Sequence, residues 1–294
     1  MLTPRKAAIA ARFGQARDYD RQAHVQRICA ELVAEKACAR LPSAPNTQLR
    51  ILELGCGTGF LSAWLRQAFP AATLWLTDLS PEMLQRTRQR LETRNSSLSH
   101  FYGQNFFHVM DGENPEADEP EGFAAPFDLI ISSLCLQWFE HRPSALQRLC
   151  QRLVPGGLFI AATLLQQTLQ EWRDSCEATR TPCGLPDWPA PATLQAEWPD
   201  RLGSGNWEVH DLQEKRRSGR DFLQGLRAIG AALPRPDHRP VSAAALRRTL
   251  AWFDAHHDSV TYQIGLGTFR THGPISSPAS ARQDPVLKGF LAND

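Results

Sequence analysis

"LRILELGCGTGFLSAWLRQAF", residues 49–69, is the stretch that decides the fold. A short apolar run over 49–55 predicts a strand, and the amphipathic run over 60–69 predicts the helix that follows it. Gly55, Gly57 and Gly59 lie between them. Glycine lets the backbone turn sharply and approach a ligand, and a helix N-terminus offers free N–H groups. The stretch therefore predicts a strand, a ligand-binding loop and a helix.

The same alternation continues on the C-terminal side of this unit. The run over 127–134, "FDLIISSL", is continuously apolar, as expected of a strand that is buried on both faces. Further strands are predicted over 72–78, 105–110 and 158–165, and further helices from Pro81 onward and over 143–154. Strands and helices that alternate at this spacing indicate βαβ units and a parallel sheet.

The alternation breaks after residue 165. The pattern predicts a strand over 206–217, helices over 166–180, 221–231 and after Ser242, and a last strand over 260–269. We expect a helical lid over 1–45, a main domain over 46–270 with an inserted cap over about 166–240, and a disordered tail over 271–294.

The bulk composition excludes several classes of function. The chain of 294 residues has a formal net charge of +1, so no global field favours nucleic acid. No apolar run is long enough for a signal peptide or a membrane span. The seven cysteines form no CxxC pair and no spacing typical of metal ligands. This cysteine usage favours a cytoplasmic protein without a metal site.

Polar residues follow the predicted strands where a ligand would bind. Asp78 ends the second strand, where a carboxylate can accept hydrogen bonds from both hydroxyls of a ribose. Asp111 and Gly112 follow the third strand, and Ser132 lies at the end of the fourth. Ligands of parallel α/β sheets bind at the carboxyl ends of the strands, near the point where strand order reverses.

This arrangement resembles the class I S-adenosylmethionine-dependent methyltransferases, which are Rossmann-like α/β proteins. The resemblance implies a seven-stranded, mostly parallel sheet with helices on both faces and an antiparallel last strand. It also implies S-adenosylmethionine as the cofactor, with its methionine end, ribose and adenine region held by a set of nine residues: Glu53, Gly55, Gly57, Gly59, Asp78, Leu79, Asp111, Gly112 and Ser132. Two other interpretations are a tight turn with a helix cap, and a nicotinamide site, whose third glycine would be misplaced here.

Three further motifs bear on the methyl acceptor: "FGQARDYDRQAHVQ" (13–26), "SSLCLQWFEHRPSALQRLCQRLVPGGLFIAATL" (132–164) and "FLQGLRAIGA" (222–231). Together they resemble the malonyl-acyl-carrier-protein O-methyltransferases of biotin synthesis. Two positions depart from that family's pattern, which has Asn where Ser133 stands and Lys where Arg227 stands. The resemblance implies methyl transfer to the free carboxylate of a malonyl thioester.

The implied chemistry needs little from the protein beyond orientation. A carboxylate is ionised at pH 7 and attacks a sulfonium methyl without a general base, so positioning and water exclusion should dominate. Tyr19 is the candidate for the lid, Gln137 and Trp138 for the acceptor pocket, and Arg173 for the carboxylate ligand. For each of them, ordinary packing or a solvated helix face is the alternative.

The carrier protein implied by the resemblance is acidic, and a local basic excess could meet it. Arg216, Arg217, Arg220 and Arg227 are the candidate docking residues, and a solvated basic surface is the alternative. Two alternative functions also stay open. One is methylation of another small molecule, such as a quinone precursor, and the other is a methyltransferase-like assembly factor or hydroxylase that acts on a protein partner.

Overall fold

A computed structural model describes residues 2–41, 48–95 and 103–273 of the chain. Its strands are β1 (Arg50–Leu54), β2 (Thr73–Asp78), β3 (Asn105–Val109), β4 (Phe127–Ser133), β5 (Leu153–Leu164), β6 (Gly203–Lys215) and β7 (Ser259–Thr271). Its α-helices are α1 (Pro4–Gln15), α2 (Tyr19–Gln22), α3 (His24–Cys38), α4 (Phe60–Ala68), α5 (Pro81–Asn95), α6 (Arg142–Gln151), α7 (Gln170–Ala178), α8 (Pro191–Ala196), α9 (Gly219–Ala228) and α10 (Ala243–His256). Of the tail predicted to be disordered, residues 274–294 lie outside the described ranges.

The strands form one seven-stranded sheet in the order β3-β2-β1-β4-β5-β7-β6. Neighbours from β3 to β5 are parallel, whereas β7 is antiparallel to both β5 and β6. The chain moves outward in one direction from β1 to β3 and in the other from β4 to β5, so the strand order reverses between β1 and β4. The predicted fold class is confirmed, and a ligand site is expected at the carboxyl ends of β1 and β4.

Alternation along the central strands divides the core between the two faces of the sheet. Ile51, Leu129 and Ile131 pack on one face, with the apolar residues of α3 and α4. Leu52 and Ile130 pack on the other, with the apolar residues of α6. Because both faces are covered, these strands read as continuous apolar runs in the sequence.

Two details of the sequence interpretation differ from the structure. The helix predicted over 143–154 ends at Gln151, and Leu153 already pairs with Phe127 of β4. The register then shifts, so that Leu129 pairs with Leu158. The "VPGG" segment is therefore part of an irregular strand, because the sheet supplies backbone hydrogen bonds that a proline–glycine segment cannot make in a helix.

The region expected as an inserted cap contains part of the sheet. Within 166–240, β6 pairs along its whole length with β7, from Gly203 opposite Thr271 to Lys215 opposite Ser259. The other elements of this region, α7, α8 and α9, lie outside the sheet. The division into a lid over 1–45 and a domain over 46–270 stays a prediction. Among the described helices, none is long and apolar enough to cross a membrane.

Candidate functional site: two cavities that meet at the leader

The loop after β1 has the backbone that its glycines predict. Gly55 and Gly57 have φ angles of 65° and 56°, in the left-handed region that favours glycine. A Cβ atom on Gly55 would lie 2.7 Å from Sγ of Cys135, so even alanine would not fit there. Gly59 is the N-cap of α4, whose first turn faces the loop. The loop is therefore built for close approach of a ligand to the backbone.

Asp78 lies at the end of β2 and holds this loop in place. Its Oδ2 accepts a hydrogen bond from the Gly57 N–H at 2.9 Å, and its Oδ1 accepts one from the Ser80 N–H at 2.8 Å. Burial raises the pKa of Asp78 to about 6, against the lowering effect of these backbone donors. Each carboxylate oxygen keeps lone-pair capacity for a further donor, such as a sugar hydroxyl.

Three predicted ligand residues lie behind the loop. Glu53 is 1% exposed, and its Oε2 accepts a hydrogen bond from Ser62 Oγ of α4 at 2.6 Å. Burial raises the pKa of Glu53 to about 8, so it is mostly protonated at neutral pH. Ser132 Oγ donates to the Leu54 carbonyl oxygen at 3.1 Å, and Gly59 packs against Thr87. These residues brace the loop and do not line the cavity beside it.

A cavity of about 80 Å³ lies between the loop and the leader, and we name it the glycine-loop cavity. Six of the predicted ligand residues line it: Gly55, Gly57, Asp78, Leu79, Asp111 and Gly112. Its open backbone and Asp78 fit the adenosyl and methionine parts of S-adenosylmethionine. The sequence reasoning missed the lining residues that come from the leader and from neighbouring loops: Lys6, Ile9, Ala10, Met83, Met110, Ser133, Cys135 and Phe139.

The leader lies across the loop and is fixed there by polar contacts. Arg86 of α5 donates to the carbonyl oxygens of Ala16 at 2.7 Å and of Gly14 at 3.1 Å. Asp20 accepts a hydrogen bond from Thr58 Oγ1 at 2.6 Å and forms an ion pair with Arg90. The residues that precede α3 therefore form a cover attached to α5 and to the glycine loop.

A second cavity, of about 320 Å³, opens on the other side of the leader, and we name it the apolar cavity. Its walls come from the leader and α3, from α7, from the segment 181–188, and from α9 with the segment that follows it. Its lining includes the aromatic residues Trp172, Trp188 and Tyr262 and several leucines. Only a few polar side chains, among them Gln137 and Arg227, reach it. Such a lining favours an acyl or alkyl ligand over a strongly polar one.

Four residues line both cavities: Phe13, Tyr19, Leu134 and Trp138. The Phe13 ring meets the Trp138 ring edge-on, with 5.6 Å between centroids. The Tyr19 ring stacks at 6.5 Å on Phe60 of α4, and a Cβ built on Gly57 would lie 3.9 Å from the Tyr19 hydroxyl. The ring of Tyr19 thus lies where the two cavities meet, and its role as a lid stays a prediction.

The electrostatics at this junction favour a hydrogen-bond donor over a base. Burial raises the pKa of Tyr19 well above its ordinary value, and the nearby carboxylates of Asp78 and Asp20 raise it further. The hydroxyl is therefore protonated at neutral pH. Leu134 adopts a left-handed φ of 54°, an uncommon conformation for leucine that occurs at functional sites.

Gln137 and Trp138 lie on a short 3₁₀ turn, Leu136–Trp138, after β4. Gln137 Nε2 donates to the Leu134 carbonyl oxygen at 2.7 Å, and its Oε1 accepts from Thr163 Oγ1 at 3.3 Å. Both residues line the apolar cavity, and their roles toward an acceptor stay predictions. The amide of Gln137 has already used one donor and one acceptor on the protein.

Arg173 lies apart from the two cavities. Its Nη2 donates to the Pro186 carbonyl oxygen at 2.6 Å, and its guanidinium lies 5.5 Å from the centre of the Trp188 ring. It therefore holds the segment 181–188 in place as a wall of the apolar cavity. The sequence places Arg173 on a helix after β5, and this alone does not show whether its side chain contacts the segment 181–188 or a ligand.

Metal ions have no clustered ligand set in the described ranges. No group of three or more His, Cys, Asp or Glu side chains there is arranged to hold one. All seven cysteines are free thiols.

Comparisons with known proteins give the context for this site. Residues 52–159 match a family model described as a methyltransferase domain. The chain is 40% identical over 268 residues to a malonyl-[acyl-carrier protein] O-methyltransferase from Magnetococcus marinus, covering 90% of this chain and 93% of that protein. It is 38% identical over 265 residues to a biotin biosynthesis bifunctional protein from Bordetella avium, of which it spans 52%.

The fold also has known relatives among solved structures. The YcgJ protein from Bacillus subtilis superposes with a TM-score of 0.56 over 84% of this chain and 99% of that one, at 12% identity. That likeness shows the fold alone. The relative that is 40% identical over nearly the whole of both chains shows more: the chain belongs to the malonyl-[acyl-carrier protein] O-methyltransferase family.

Proposed function

We propose that this protein transfers the methyl group of S-adenosylmethionine to the free carboxylate of a malonyl group that acyl carrier protein carries as a thioester. The observation that carries the proposal is the meeting of a glycine-loop cavity and an apolar cavity at Phe13, Tyr19, Leu134 and Trp138. A methyl donor in the first cavity and an acyl acceptor in the second would meet at these four side chains.

The junction has the properties that this reaction needs. S-adenosylmethionine supplies an electrophilic sulfonium methyl group when it is bound. An acceptor carboxylate would use its own electron pair for the methyl transfer, so the chain's residues would have to orient it and would have no proton to remove. None of the four junction residues is a base at neutral pH, since Tyr19 has a raised pKa and the other three do not titrate. A phenol or carbon acceptor would require proton removal, which the junction does not provide.

The chain's own residues supply orientation and a dry environment. Asp78 is placed to accept hydrogen bonds from the ribose hydroxyls, and the loop at Gly57 brings the backbone close to the methionine end. Phe13 and Trp138 exclude water from the junction, and the Tyr19 hydroxyl donates a hydrogen bond to the acceptor carboxylate. Orientation of this kind contributes roughly 7–11 kcal/mol in well-aligned systems.

Mass spectrometry of malonyl-acyl carrier protein tests the proposal directly. Incubation with S-adenosylmethionine and this protein should add one methylene mass to the malonyl group. Malonyl esterified in advance on its free carboxylate is the matched control and should gain nothing. Binding of the cofactor without any gain in mass would contradict the proposed acceptor.

The same experiment with a small phenol of the quinone-precursor class tests whether the protein methylates that alternative acceptor. We expect no methyl transfer to it between pH 6 and pH 9, because the junction has no base.

We also propose that the reaction takes place in the cytoplasm. The seven free thiols agree with this proposal.

We also propose that the carrier docks on the basic rim of the apolar cavity. Arg227 is exposed and lines that cavity, and Arg12 of α1 donates to the Ala232 carbonyl oxygen of the same rim at 3.3 Å. Arg217 and Arg220 are exposed close by in sequence. Arg216 does not belong to this surface, because its side chain is 9% exposed and forms an ion pair with Glu214.

Charge reversal tests the docking surface. Arg227→Glu should raise the KM for malonyl-acyl carrier protein about tenfold at low salt and less at high salt, because rim charges act mainly on association. Arg201→Glu is the matched control, an exposed arginine that lines neither cavity. An equal effect of both variants would remove Arg227 from the docking surface.

A further inference from the structure

Lys6 is a buried charge on the face of α1 that covers the glycine-loop cavity. Its side-chain ammonium lies 2.6 Å from Asp111 Oδ2 and 2.5 Å from Glu113 Oε2, and the residue is only 3% exposed. Glu113 is 1% exposed, so the pair is shielded from water. A buried ammonium is costly unless it is paired and hydrogen-bonded, and here both carboxylates meet it.

The local sequence places Lys6 on that face. Thr3 caps α1 by accepting a hydrogen bond from the Lys6 N–H at 3.2 Å, and Pro4 occupies the first turn. Lys6, Ile9, Ala10 and Phe13 follow at helical spacing, and all four line the glycine-loop cavity. A helix that only needed burial would have an apolar residue at position 6, since ion pairs of this kind add little stability over apolar packing.

The two carboxylates connect Lys6 to both sides of the cavity. Asp111 follows β3 and lines the cavity, and its Oδ1 accepts a hydrogen bond from the Glu113 N–H at 3.0 Å. Glu113 accepts hydrogen bonds from the backbone N–H groups of Glu140, at 3.0 Å, and His141, just beyond the turn that carries Trp138. Lys6 therefore joins the leader to the turn after β3 and to the segment after β4.

We infer that Lys6 is a positioning residue that holds the leader closed over the adenosine end of the bound cofactor and so sets how long cofactor and product stay bound. The inference rests on the proposed function, since it requires S-adenosylmethionine in the glycine-loop cavity. Without the ammonium, Asp111 and Glu113 would repel each other. The N-terminal turn of α1 would then keep only the exposed hydrogen bonds from Thr3 Oγ1 to Glu140 and from Arg5 to the Pro234 carbonyl oxygen. The C-terminal part of the leader keeps its separate contacts with Arg86 and Arg90.

The test is the dissociation rate of S-adenosylhomocysteine, measured by stopped-flow fluorescence with affinity from calorimetry. Lys6→Met should raise the dissociation rate at least about tenfold and leave the association rate within about twofold. Lys6→Arg, which keeps the charge, should restore part of the residence time. Hydrogen exchange of the amides of α1 should be faster in Lys6→Met when ligand is bound.

Lys36→Met is the matched control. Lys36 forms an ion pair with Glu208 at 2.6 Å, between α3 and β6, and it lines neither cavity. Its loss should leave the dissociation rate unchanged. If Lys6→Met does not fold, Lys6→Gln keeps a hydrogen-bond donor and should give the same change in rate.

The outcomes separate this inference from the proposed function. An unchanged dissociation rate in a folded Lys6 variant, with the wild-type protein binding S-adenosylhomocysteine, would overturn the role of Lys6 and leave the proposed function standing. Failure of the wild-type protein to bind S-adenosylhomocysteine would overturn both. A lower melting temperature without a faster dissociation rate would show that Lys6 is merely structural.

Discussion

The glycine-loop cavity and the apolar cavity share four residues, yet the protein builds them in different ways. The first is formed by strand ends and backbone turns, with Asp78 and Gly57 fixed by the central sheet. The second is formed by side chains of α7 and α9, by the segment 181–188 and by the leader. Polar groups define the first cavity, and packing defines the second.

The difference shows where each kind of specificity resides. A sheet fixes backbone donors and a carboxylate in one geometry, so the glycine-loop cavity can serve many methyl acceptors without change. The apolar cavity selects the acceptor through shape, water exclusion and a small number of polar contacts. The leader belongs to both, because its N-terminal part covers the first cavity and Tyr19 reaches the second.

Removal of residues 2–20 is the strongest way to break this arrangement. It takes away Phe13, Tyr19 and the cover of α1, so transfer to malonyl-acyl carrier protein should fall more than about 100-fold through loss of orientation and water exclusion. The fold should survive, because the leader packs in a small cluster of its own with Met83 and Ile229. Steady-state turnover and circular dichroism measure the two effects. Full activity in the truncated protein would show that the leader only packs.

Asp78→Asn tests the glycine-loop cavity separately from the apolar cavity. Loss of the charged acceptor should weaken cofactor binding about 10- to 100-fold, the range for hydrogen bonds to a charged group, while the apolar cavity is untouched. Calorimetric titration with S-adenosylhomocysteine measures the change.

The pH dependence gives a second check on Asp78. Because its pKa is raised to about 6, the wild-type carboxyl becomes protonated as the pH falls through 6 and cofactor affinity should fall with it. Asp78→Asn should lack this dependence. An identical pH profile in both proteins would assign the titration to another group.

The sequence predicted the glycine-loop cavity well because local rules determine it. A strand followed by glycines and an acidic residue at the next strand end define positions in a parallel sheet, and Gly55, Gly57 and Asp78 lie as predicted. Glu53 and Ser132 show the limit of the rule, because neighbouring positions on a strand alternate between faces and a one-residue difference decides between lining and support.

The apolar cavity and the cover that α1 forms over the glycine-loop cavity were harder to predict, because both depend on contacts between distant segments. Lys6 lies 105 residues before Asp111, and no local pattern pairs them. Arg173 was expected near the acceptor, yet tertiary packing turns it toward Pro186. Tyr19, Gln137 and Trp138 were found through motif resemblance, and the structure places them at or beside the junction.

Glu53→Gln tests whether Glu53 lines the glycine-loop cavity or only supports the loop from behind. The raised pKa of about 8 means that the folded protein binds more protons than the unfolded chain between roughly pH 4.5 and pH 8, so the free energy of unfolding falls as the pH rises through that window. Glutamine does not titrate, so the variant should not lose stability in this way. Its free energy of unfolding should rise by about 1–2 kcal/mol relative to the wild type between pH 5 and pH 8.

Denaturant unfolding at several pH values measures the effect of Glu53→Gln. Cofactor affinity at pH 7 should stay within about threefold, because Glu53 lies behind the loop. A loss of affinity as large as that of Asp78→Asn would show that Glu53 contacts the cofactor directly.

Tyr19→Phe is the mildest change and the one that bears most directly on the junction. The ring that excludes water remains and only the hydroxyl donor is lost, so kcat should fall about 10-fold, the lower end of the range for one hydrogen bond to a charged group. Cofactor affinity should not change. If Tyr19→Phe kept the full kcat, the ring alone would account for the role of the leader at the junction, and the carboxylate would be oriented by another donor, with the free amide hydrogen of Gln137 as the nearest candidate along the apolar wall.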